Sequence, residues 1–211
     1  ADSGKLDHLP PILAFQSAVD ATVSTPALID GLLGRLPAGR HELVLFDINR
    51  LAKVESLITK DPADHLARLI TGARNPFAVT VATNRRPDTA EVEIRRPRTG
   101  SSAAPAATPG LSWPHGVYSL SHVSLPFPPD DPLYGNGEND PPGSYRLGSI
   151  ALRGERGVLQ ISAADQLRLR WNPFFGYMKE RVLAHILPPS PQAASIAFRC
   201  PSAAGQRTRL H

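Results

Sequence analysis

Residues 11–48 place a short apolar run, a capped amphipathic segment and a second apolar run in immediate succession, and few architectures other than an α/β sheet can use that order. The run Pro11-Ile12-Leu13-Ala14-Phe15-Gln16-Ser17-Ala18-Val19 is bounded by proline before and Asp20 after, the pattern of a strand buried on both faces. A helix start follows, with Ser24 or Thr25 as N-cap and Pro26 in the first turn. Leu28, Ile29, Leu32, Leu33 and Leu36 share one face of it, and Pro37-Ala38-Gly39 ends it. The run Glu42-Leu43-Val44-Leu45-Phe46-Asp47-Ile48 then reads as a second strand, parallel to the first because a helical crossover joins them.

Further along, helices are expected over residues 51–58 and 62–70, the latter with Leu66, Leu69 and Ile70 as apolar contacts. Residues 77–83 and 90–94 read as two more strands, the second alternating as a half-exposed strand does. Residues 97–114 are rich in proline, glycine, serine and alanine and are expected to form a mobile linker without packed elements. A second irregular stretch covers residues 126–143, and Gly154-Glu155-Arg156-Gly157 between two apolar runs marks a hairpin. Asn172-Pro173 opens a last helix whose Phe174, Phe175, Met178, Val182, Leu183 and Ile186 are expected to be core contacts.

Bulk properties narrow the function classes. At 211 residues, 41% hydrophobic and 20% charged, the chain can bury a sizeable core. No apolar run approaches the roughly 20 residues that a membrane-crossing helix needs, so no transmembrane segment is expected in this chain. The formal net charge of +4 is carried largely by scattered arginines without interleaved aromatics, which argues against nucleic-acid binding. Cys200 is the single cysteine, so no internal disulfide or multi-cysteine metal site exists, and no histidine pair has zincin spacing. No metal or cofactor is expected. The compartment, cytoplasm or bacterial envelope, stays open.

The chemistry rests on two residues. Asp20 closes the first apolar run, and carboxyl ends of parallel strands converge on one crevice where functional groups gather. It is either a functional acid or a cap for the turn that leads to Ser24. His122 sits in Tyr118-Ser119-Leu120-Ser121-His122-Val123-Ser124-Leu125-Pro126-Phe127, an apolar and hydroxyl-rich segment between two irregular stretches. It is either a general base or a buried histidine bonded to Ser119 or Ser124, while His115, at the end of the linker, is read as exposed and structural.

Residues 15–24 together with His41-Glu42-Leu43-Val44-Leu45-Phe46 resemble the late strands of α/β-hydrolases of the bacterial lysophospholipase and monoacylglycerol-lipase kind, and residues 118–127 resemble their histidine-bearing segment. The resemblance implies that Asp20 is the triad acid and His122 the base, in the chain order serine, acid, histidine. Leu125, Phe127 and Tyr134 would then line or cover an acyl pocket for a small ester or lipid substrate. The chain departs from the simplest members in one place: Asp47-Ile48-Asn49-Arg50 fills the slot after the second strand where their histidine stands. The pattern Gly-x-Ser-x-Gly is absent from the sequence, so the nucleophile is expected upstream, in an N-terminal domain, and the chain alone is expected to be inactive.

The expected fold is therefore α/β, a partial doubly wound parallel sheet of late hydrolase strands with a long insertion and an added hairpin. Residues 1–96 would form the hydrolase core, 97–116 the linker, 117–188 the histidine-bearing segment with hairpin and last helix, and 189–211 a tail. A sheet without its early strands would expose an edge able to pair with a second copy. The competing expectation from another class is a non-catalytic partner-binding module on the same scaffold.

Overall fold

The strand, helix, strand order read above generates the centre of the molecule. In the computed structural model, β1 (Leu13–Ser17), β2 (Glu42–Asp47), β3 (Ala78–Asn84) and β4 (Val92–Arg95) lie side by side in that order in one sheet. The first three are mutually parallel and β4 runs antiparallel to β3. The structure describes residues 3–20, 23–51, 66–68, 75–96, 107, 110–114, 126–135 and 171–187. The architecture is thus α/β with a mostly parallel sheet. The expected helix 51–58, the hairpin around residues 154–157 and the tail lie outside the described residues.

Leu43, Val44, Leu45 and Phe46 of β2 are all 0% exposed, which requires cover on both faces of the sheet. Alternation along the strand sorts them. Leu43 and Leu45 join Leu33, Leu36, Leu66, Val79 and Val81 on one face, beneath α1 (Thr25–Gly31). Val44 and Phe46 join Ala82, Val92, Ile94, Trp113, Trp171 and Phe174 on the other, beneath α2 (Phe175–Ile186). Phe46 stacks between Phe15 and Phe174, with ring centroids 6.5 and 5.8 Å away. Burial of a side chain of this size contributes about 2–3 kcal/mol.

α1 begins where the sequence says it should: the Ser24 hydroxyl accepts the Ala27 N–H and Pro26 occupies the first turn. It is shorter than its apolar periodicity. After Gly31 the chain tightens into a 3-10 turn, Leu33–Arg35, that still delivers Leu33 and Leu36 to the core. Gly34 permits this, because a Cβ there would lie 3.0 Å from the Ile29 carbonyl oxygen.

Two expectations are corrected. The described residues of the stretch read as a mobile linker are paired with β4: Ile94 and Ala107 exchange backbone hydrogen bonds, Leu111 O accepts from Val92, and Trp113 donates to Ala90 O. The composition misled because an added antiparallel strand needs only backbone donors and acceptors plus an occasional apolar anchor, here Trp113 at 5% exposure. Five residue steps separate Ala107 from Ser112 and three separate Ile94 from Glu91, and Gly110 in the longer interval has φ 73°.

The last helix is the second correction. Phe174 is buried, but Leu183 and Ile186 are 46% and 70% exposed. Arg181 already reaches Glu42, the first residue of β2, so the following turn of α2 projects past the end of that strand. Among the described residues no helix is long and apolar enough to cross a membrane.

Candidate functional site

Polar groups collect at the carboxyl ends of the parallel strands, where backbone pairing stops and the chain must turn. At the end of β1 the loop carrying Asp20 is held from beneath by a buried network. Gln16 Nε2 donates to Val23 O at 2.9 Å and to Thr25 Oγ1 at 3.1 Å, and Thr25 Oγ1 donates to Ser17 O at 2.8 Å. Gln16, Ser17 and Thr25 are 5% exposed or less, so these bonds form in a low-dielectric setting where an unmade bond is costly. Asp20, half-buried, accepts the Val23 N–H on Oδ1 at 2.9 Å. The capping role foreseen for Asp20 is therefore present, and it holds the carboxylate in a fixed direction.

One strand over, the exit of β2 holds a constellation that sequence reading treated only as a slot lacking a histidine. Arg50 folds back onto Asp47 with two bonds, 2.6 and 2.9 Å, and both side chains are at least nine-tenths buried. Asn49 between them adopts φ 62°, the left-handed region, and is 7% exposed. Asn84, at the end of β3, accepts the Asn49 N–H at 2.6 Å and donates to Asn49 Oδ1 at 3.2 Å. The signal that could have flagged it is the pair of asparagines closing apolar runs, since asparagine tolerates the left-handed region better than most residues.

The same edge receives the chain a fourth time. β4 runs down from it, and the bonds of Ala107, Leu111 and Trp113 to residues 90–94 bring Trp113 and Pro114 back to the carboxyl edge on the β4 side of the sheet. Beyond residues 115–125 the chain is described again at Phe127, whose carbonyl accepts the Asn172 N–H at 2.7 Å and whose ring packs on the same core face as Trp113 and Phe174. Phe127 and Tyr134 stack with centroids 4.2 Å apart. Asp131 Oδ1 accepts the Leu133 and Tyr134 N–H groups, which makes this proline-bearing loop a built turn.

Of the residues singled out from sequence, Asp20, Phe127 and Tyr134 are placed by the structure. His122, Leu125, His115 and Cys200 lie outside the described residues. Among the described residues no group of three or more His, Cys, Asp and Glu side chains is arranged to hold a metal ion.

The opposite, amino-terminal edge carries a pocket of about 250 Å³ lined by Arg40, His41, Glu42, Arg181 and His185 among others. Its polar groups serve to fasten elements together. His41 Nδ1 accepts the Ile12 N–H at 3.1 Å, Arg181 pairs with Glu42, Thr80 Oγ1 donates to Glu42 Oε1 at 2.8 Å, and His185 Nε2 sits 3.2 Å from Pro11 O. Burial raises the Tyr177 phenol above its ordinary pKa of 10.0, partly offset by Arg181 and Arg96, with Glu42 adding to the rise.

Comparison of the chain with protein-family models, with curated proteins and with solved structures returned no match.

Proposed function

We propose that this chain is the C-terminal part of a serine ester or lipid hydrolase built on a doubly wound sheet, supplying the acid Asp20 and the base His122 of a triad whose serine lies upstream. The observation that supports this reading is that Asp20 leaves the sheet at the edge to which residue 114 returns. From β1 to the segment that ends at Trp113 is four strand spacings of about 4.8 Å, roughly 19 Å in all. The eight residue steps from Pro114 to His122 can span about 26 Å when extended. Phe127, five residues further on, anchors the far end on the adjacent core face. A chain of that length is long enough to carry residue 122 to the Asp20 carboxylate.

In this mechanism the serine Oγ attacks the ester carbonyl carbon as His122 takes its proton, and the departing alkoxide recovers that proton from the imidazolium. Water then attacks the acyl-enzyme with His122 again as base. Asp20 accepts the other imidazole N–H and fixes the tautomer. Phe127 and Tyr134, with Leu125, supply apolar surface for the acyl chain.

Two measurements test it. A fluorophosphonate probe should label the full-length gene product, and His122→Ala in that protein should abolish both labelling and hydrolysis of a p-nitrophenyl ester while leaving the circular dichroism spectrum unchanged. Retained turnover in His122→Ala removes the assignment.

A further inference from the structure

We propose that the amino-edge pocket is a binding site for a small oxyanion, a carboxylate or phosphate group, held by His41 and Arg40. This inference stands apart from the hydrolase reading, whose acid leaves the opposite edge of the sheet. The polar cluster alone does not make a site; what its fastening bonds leave over does. His41 is 5% exposed and its Nδ1 accepts the Ile12 N–H at 3.1 Å, so the ring proton sits on Nε2. That Nε2–H has no acceptor among the described residues, and a buried donor left in this way is costly. Beside it stands Gly39, also in the pocket lining, where a Cβ would lie 3.4 Å from Nε2. The missing side chain keeps the space next to the ring nitrogen open. Arg40, between them in the chain and lining the same pocket, is exposed and has no ion-pair partner among the described residues.

The charge of the lining selects the ligand. Two guanidinium groups, Arg40 and Arg181, face one carboxylate, Glu42. Glu42 is the group that would repel an anion, and both its oxygens are engaged: Oε2 pairs with Arg181, and Oε1 accepts from Thr80 Oγ1 at 2.8 Å. His185 has its Nε2 committed to Pro11 O at 3.2 Å. What remains is one uncompensated positive charge and one buried N–H donor, on adjacent residues. Water satisfies the N–H alone. An oxyanion accepts from it and balances the guanidinium at the same time, through charge-assisted bonds about twice as strong as neutral ones. The pocket, about 250 Å³, has room for such a group, since a water takes only about 30 Å³.

The test uses the full-length protein with 15N-labelled histidine. Inorganic phosphate or acetate, added separately, should shift the His41 Nε2 resonance saturably with Kd below about 1 mM, and the tighter of the two gives the ligand class. Gly39→Ala places a methyl beside Nε2 at ordinary contact distance and should weaken that binding about tenfold or more, with the urea midpoint unchanged. Arg40→Gln removes the free charge and should weaken it about fivefold or more, again without loss of stability. His41→Asn keeps an acceptor for the Ile12 N–H and removes the Nε2 donor, and calorimetry should find binding lost; where it does not fold, Gly39→Ala decides. Failure of both ions to saturate, or an affinity unchanged in either Gly39→Ala or Arg40→Gln, overturns the site.

Discussion

The two ends of the parallel strands use similar residues for different ends. At the carboxyl edge Asp47 and Arg50, three residues apart, pair across a strained turn, and the asparagine between them is held by another from β3. At the amino edge Glu42 and Arg181 pair across 139 residues, and His185 reaches Pro11 across 174. The first set shapes a turn. The second fastens α2, which arrives from far along the chain, to the sheet beneath it. A polar cluster near a pocket is thus not by itself a site: the amino edge has a pocket whose polar groups fasten elements together, whereas strain and convergent chain ends belong to the carboxyl edge.

The contrast can be broken most sharply at Arg50. Arg50→Met leaves the Asp47 carboxylate buried without its bidentate partner and should cost about 3–5 kcal/mol in urea unfolding. Adding Asp47→Asn should recover most of that loss. If the single variant costs under about 1 kcal/mol, the pair behaves as an exposed one and the carboxyl-edge turn owes its shape to other contacts.

A smaller and more local effect is expected at the other edge. Glu42 and Arg181 keep 16% and 22% of their side-chain exposure, so Arg181→Met should cost about 2 kcal/mol, less than a fully buried pair. Hydrogen exchange should accelerate over residues 175–187 and leave β2 protected, since what is lost is the fastening of one helix. Uniform acceleration across sheet and helix would show that the two edges do not differ in the way described.

The smallest effect is assigned to Tyr177, whose buried hydroxyl has no hydrogen-bond partner among the described residues. Tyr177→Phe removes a hydroxyl without a partner among the described residues and should change stability by no more than about 0.5 kcal/mol near neutral pH. Its signature is in alkali. The phenol ionises at its ordinary value of 10.0 in the unfolded chain and at a higher value in the folded one. Wild-type stability is therefore full below pH 10 and declines as pH rises from there through the folded value. Denaturant titrations of the two proteins should diverge only in that window, and parallel curves would mean that Tyr177 is solvated.

Much of the framework was legible in the residue order. The apolar run before Asp20, the Ser24 and Pro26 start of α1 and the run from Glu42 to Asp47 are short-range patterns, and they became β1, α1 and β2. Their physics is local: the cap, the first-turn proline and the buried alternation act within a few residues of one another. Asp20 at a strand exit could be read for the same reason. Sequence alone also determined that no Gly-x-Ser-x-Gly turn is present.

What only the tertiary structure decided is which distant residues share an edge. Asn84 clasping Asn49, Trp113 bonding to Ala90 within a stretch whose composition reads as linker, and the end of α2 projecting past β2 depend on pairings across 23 to 139 residues. Such contacts leave no periodicity in the chain, because their free energy is gained only after the intervening loops have been closed and the sheet exists to receive them.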